Sequence, residues 1–97
     1  MLKYVLMLQK DDHDYILQTK AEFMQKTASE LVSLYNRQVE IGIVGVHRQA
    51  VMLFTLRLTM LEIFGQSPIL LHDNIILELS GKAWLSEGKL MFDPAED

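Results

Sequence analysis

The chain has no cysteine, only two prolines and no run of basic residues. Without cysteine there is no disulfide, no thiol nucleophile and no thiolate metal site. A cysteine-free composition fits a reducing compartment, and a cytoplasmic location is the expectation. The 9 Lys and Arg residues stand singly against 13 Asp and Glu, for a formal net charge of −4. Nucleic-acid binding needs clustered cations to neutralise phosphates, so that class is set aside.

Long apolar runs are missing as well. Tyr4–Leu8 is the first apolar stretch, and its five residues are too few for the core of a secretory signal. The most apolar region, Ile41 to His72, is interrupted by Arg48, Gln49, Arg57 and Glu62. It therefore cannot supply the ~20 apolar residues that a membrane helix needs. No membrane span is expected, and the protein reads as soluble.

What is present is apolar side chain in excess. Hydrophobic residues make up 49% of 97 positions and the mean hydropathy is +0.13. A chain of this size hides only roughly 60–68% of its unfolded surface. The surplus has to lie in an exposed patch or under a partner. Self-association is the leading expectation, as a homodimer first, with another protein as a possible partner. Only three formal charges, Arg48, Arg57 and Glu62, fall among residues 41–72, which marks that block as the core, with its apolar 41–64 region as the expected association surface.

The pattern along the chain reads as one α+β domain over residues 1–93, followed by a frayed acidic tail at 94–97. Leu2–Gln9 reads as a first strand. Asp11 or Asp12 can then cap a helix, because a carboxylate accepts the free N–H groups of a first turn. Leu17, Ala21, Met24, Ala28, Leu31 and Tyr35 recur at steps of three and four, which predicts one long amphipathic helix over about 12–36. Val39–Val46 is β-branched and glycine-interrupted, which predicts a strand.

Residues 49–64 fit two templates. Phe54 to Met60 alternates apolar and polar as a strand does. At helical spacing Arg48, Thr55, Thr59 and Glu62 form one narrow polar stripe, with Arg57 on the far side. Sixteen residues suit a helix better than a strand, and Gly65 and Pro68 stand where a helix should end. Short strands separated by turns at His72-Asp73-Asn74, Ser80-Gly81-Lys82 and Ser86-Glu87-Gly88-Lys89 follow. The sum is a two-layer α+β sandwich, about β-α-β-α-β-β with a further short strand. Its long helix is expected to pack on a mostly antiparallel sheet. If 49–64 is a strand, one long helix crosses that sheet instead.

No segment carries a reaction motif. Asp11-Asp12-His13-Asp14 gathers three carboxylates and an imidazole, but neighbours at a helix start point apart, so capping explains them and no metal is expected. Gly42-Ile43-Val44-Gly45-Val46-His47-Arg48 lacks both the third glycine of a dinucleotide loop and the Gly-Lys-Ser/Thr of a phosphate loop. It still places His47 and Arg48 at a strand-to-helix junction. There Arg48 can clamp an anion and His47 can exchange a proton near neutral pH. Asp73 or Asp14 would supply an acid in that reading. Arg57 stands in the most apolar stretch. If buried it needs a carboxylate, with Glu62, Glu40 and Glu78 as candidates from this chain or a second copy. The alternative is that it snorkels to the edge of the apolar face. Phe54, Arg57, Leu58 and Leu61 form the expected interface set. Met7, Met24, Met52, Met60 and Met91 read as core filler, and Trp84 as a sheet-packing residue, with an exposed contact anchor as the alternative. The chain therefore reads as a binding or assembly module without cofactor that self-associates and recognises a protein or a small ligand. The alternative is a small enzyme or anion-binding domain built on His47 and Arg48.

Overall fold

The structure is a computed structural model and describes residues 3–94. Leu2 of the expected first strand and residues 95–97 of the expected tail lie outside the described residues. In chain order the elements are β1 (Lys3–Val5), α1 (Asp12–Phe23), α2 (Ala28–Ile41), α3 (His47–Phe64), β2 (Ile69–His72), β3 (Ile76–Leu79), β4 (Ala83–Ser86) and β5 (Lys89–Phe92). This is an α+β fold in which all strand pairing is antiparallel. One sheet has the order β1-β3-β2, and β4-β5 is a separate hairpin.

Two elements differ from the sequence reading, each for a local reason. The helix expected over 12–36 is two helices. Thr27 has extended backbone and starts α2 with a capping box: its hydroxyl accepts the Glu30 N–H, and the Glu30 carboxylate accepts the Thr27 N–H. The break also splits the expected apolar line. Leu31 and Tyr35 are fully buried, whereas Leu17 and Met24 face water and α1 buries Thr19 and Phe23 instead. The strand expected at 39–46 is also absent. Residues 39–41 continue α2, and Gly42 ends it at φ 79° and ψ 175°, a backbone region essentially open to glycine alone. The next residues form a loop held by Gln49. Its side chain accepts the Val44 N–H and donates to the Gly42 carbonyl and to Gln38.

The segment 49–64 is helical. Gly65 closes α3 in the left-handed region, with its N–H on the Leu61 carbonyl and Pro68 beyond, as the sequence predicts. This helix is the hub of the fold: no residue from Ala50 to Leu61 is exposed. Its polar stripe is the seam with α1. Arg48 lies over the Tyr15 ring at one end and Glu62 meets Lys20 at the other. Between them Thr55 and Thr59 are wholly buried, their hydroxyls donating back to the Val51 and Thr55 carbonyls. Threonine is tolerated there because the helix itself satisfies its polar atom.

Strand alternation decides the rest. Leu77 and Leu79 of β3 point into the core, and so do Ile69 of β2 and Leu6 just after β1. The β4-β5 hairpin is fastened to α2 by side chains that replace a neighbouring strand. The Asn36 amide exchanges two 2.8 Å hydrogen bonds with the Ala83 backbone. The buried Tyr35 hydroxyl donates to the Ser80 and Gly81 carbonyls, and burial pushes its ionisation well above the ordinary range. Ala83 and Leu90 pack inward, so Trp84 and its cross-strand partner Met91 face out, 46% and 43% exposed. Trp84 is therefore a surface residue, contrary to its expected packing role. Met7 and Met24 are also exposed, which leaves Met60 and the half-buried Met52 as core methionines.

Candidate functional site

The short loop between α2 and α3 turns the first residues of α3 back onto the start of α1. There the His47 Nε2 lies 2.8 Å from the Asp12 Oδ2. The same carboxylate oxygen accepts the Gln9 N–H at 2.7 Å. That backbone bond, followed by His47 and Arg48, holds the Asp12 carboxyl below its usual range. Arg48 stands over the Tyr15 ring, 4.7 Å from its centre. Val46 is the N-cap of α3 and offers no side-chain acceptor, and the first turn carries no acid.

His47 and Arg48 thus stand together at a helix N-terminus, as the sequence predicts, although the element before them is a loop rather than a strand. What the sequence did not disclose is the role of Asp12. It belongs to the acidic cluster read as a helix cap, and Asp11, the residue at the N-cap, makes no side-chain capping bond. Asp12 caps backward onto Gln9 and across onto His47. Asp12, His47 and Arg48 thus form one trio, and the carboxylate already occupies the place beside His47 and Arg48 that an external anion would seek.

The three histidines do not converge. His13 is exposed on α1, and His72 pairs with Glu78 across the sheet, Nε2 to Oε1 at 2.7 Å. Glu78 is 8% exposed at its side chain and is flanked by Lys3 at 3.5 Å on β1. The bond from His72, helped by Lys3, holds its carboxyl below the ordinary range. Lys3 lies directly across from Glu78 and His72 reaches it diagonally from opposite Ile76, all three on the sheet face opposite the core.

Phe54, Arg57, Leu58 and Leu61 do share one stripe of α3, and all four are half-buried. Each expected carboxylate for Arg57 is engaged elsewhere: Glu62 with Lys20, Glu40 with Lys82, and Glu78 with His72 and Lys3. The Arg57 Nε is buried with no hydrogen-bond partner among the described residues.

Exposed apolar surface gathers elsewhere. Val5, Met7 and Leu8 are 55%, 64% and 48% exposed, and Ile41, Val44 and Val46 are 51%, 58% and 53% exposed. The two groups flank the Asp12–His47 contact, one leading into Gln9 and the other ending beside His47. No helix among the described residues is long and apolar enough to cross a membrane. Comparison with protein-family models, with curated proteins and with solved structures returns no match to this chain.

Proposed function

We propose that the chain is a small binding and assembly module that self-associates and recognises a protein surface through apolar residues its own core leaves in water. One observation carries the reading. The charge-poor block does not bury all of itself: Ile41, Val44 and Val46 stand more than half exposed while the helix that follows is enclosed from Ala50 to Leu61. Exposed β-branched residues in a row lose nothing by being covered, and contiguous apolar surface marks interaction sites.

The trio beside them supports the same reading over a ligand-binding or catalytic one. Asp12 occupies the position next to His47 and Arg48, so these side chains work as a clamp between α1 and α3. Light scattering after gel filtration tests the proposal. The 11.2 kDa chain is expected to show a mass that rises toward that of a dimer as concentration increases. A constant monomer mass up to about 1 mM, far above the range of specific association, would overturn it.

A further inference from the structure

We infer that β1 is a pairing edge for a second copy of this chain, the two β1 strands adding antiparallel across a twofold axis to make one six-stranded sheet. The inference rests on the self-association proposed above and names its geometry.

The register identifies which backbone groups are free. The Leu6 N–H bonds the Ile75 carbonyl, and Tyr4 stands opposite Leu77, so the even residues of this segment face β3. Alternation then turns the N–H and C=O groups of Lys3 and Val5 away from β3, and Met7 follows the same phase if the chain stays extended past Leu6 in the pair. Among the described residues no strand lies beyond β1. Open edges of this kind are templates for another strand unless something guards them.

The usual guards are absent. No proline or acid occurs from Lys3 to Gln9, and Lys3 is the sole formal charge in that stretch. Its ammonium is drawn sideways to Glu78 on the sheet face. The side chains along the edge invite cover: Val5 and Met7 are 55% and 64% exposed, and Lys3, Tyr4, Val5 and Ile76 line a shallow apolar concavity beside them.

A second copy fits better than a foreign strand because the edge is complementary to itself. With the axis at Val5, the Val5 backbones of the two copies exchange hydrogen bonds, and Lys3 of each copy opposes Met7 of the other. The two lysines then lie at opposite ends, so no like charges face each other. Pairing over Lys3–Met7 is only five residues, about 17 Å of strand, too small a contact to reach the ~1,200–2,000 Å² that a tight interface buries. The dimer is therefore a weak, concentration-dependent one. The 41–46 loop has no comparable edge.

Amide hydrogen exchange by NMR at rising protein concentration tests the geometry. The Val5 N–H is expected to slow as the dimer forms, while the Tyr4 and Leu6 amides, already held by β3, change little. Val5→Pro removes only an outward N–H and keeps the bonds to β3, a position where an edge strand accepts proline. It should weaken the dimer by about tenfold or more, since two hydrogen bonds are lost about the axis. If Val5→Pro does not fold, Val5→Lys serves instead, because it sets two like charges face to face. A dimer that forms with the Val5 amide unprotected, or that Val5→Lys leaves intact, would overturn the pairing edge and leave self-association standing. Loss of the dimer in Val44→Asp but not in either Val5 variant would do the same and move the contact to the 41–46 loop. A monomer at all concentrations would sink both proposals.

Discussion

Residues 42–46 and residues 47–64 are both poor in charge and rich in apolar side chains, and they have opposite fates. The helix α3 is enclosed along its middle, with Leu53, Leu56 and Met60 fully buried. In the five-residue loop before it, Ile43 alone of the three apolar side chains is buried, and Val44 and Val46 stand in water. Apolar character predicts burial only where a regular element gives each side chain a direction and neighbours to pack on. A helix provides contacts all round when helices and strands surround it. A loop spends its geometry on satisfying its backbone, as Gln49 does for Gly42 and Val44.

That contrast can be broken by substitution. Leu56→Ala in α3 should cost about 2–5 kcal/mol, through lost burial and the cavity left behind, in urea unfolding. Val44→Ala in the loop should stay within about 0.5 kcal/mol, because its side chain touches little. Equal effects from the two would erase the distinction between the regions.

A smaller effect is expected where the two regions join. Gly42 holds a backbone conformation that a Cβ strains, so Gly42→Ala should lose roughly 1–3 kcal/mol in the same measurement. A neutral result would mean that the loop rearranges without cost and that its exposed valines are not fixed in place.

The smallest expected effect concerns the Asp12–His47 clamp, which ties the loop's end to α1. The Asp12 carboxyl is depressed in the folded state, so its contribution to stability is present above the ordinary carboxyl value, about 3.9, and is lost as pH falls through the folded value. A carbon-13 NMR titration should find its midpoint below that value. His47→Ala should raise the midpoint only in part, because the Gln9 N–H, the larger cause, remains. An unchanged midpoint would show that His47 does not hold the carboxylate in solution.

Local chemistry made much of the fold legible. The end of α3 at Gly65 before Pro68 follows from backbone preference. So do the turns at Asp73-Asn74 and Glu87-Gly88, all four residues of which take positive φ. The break between α1 and α2 was legible too: Thr27-Ala28-Ser29-Glu30 spells a capping box, and the three-and-four periodicity of apolar residues across it masked the signal. The strand expected at 39–46 failed because residues 39–41 extend α2 to Gly42, and beyond it the Val44 N–H and the Gly42 carbonyl bond the Gln49 side chain instead of a neighbouring strand. For the candidate site, His47 and Arg48 were visible as an unusual pair at a helix start, whereas Asp12 as their partner was not. It lies 35 residues from His47, and in sequence it looks like any other acid in a first turn.

The sequence by itself determined the class and the main turns, and it favoured a helix over 49–64 without excluding a strand. These rest on periodicity and on residues whose backbone freedom is local. The tertiary structure alone decided which partner each charge received. Glu40, Glu62 and Glu78 are taken by Lys82, Lys20 and the Lys3–His72 flank, which leaves the Arg57 Nε without a partner among the described residues. It also decided which apolar segments remain in water. Both depend on contacts between residues far apart in the chain, and packing, not local preference, selects them.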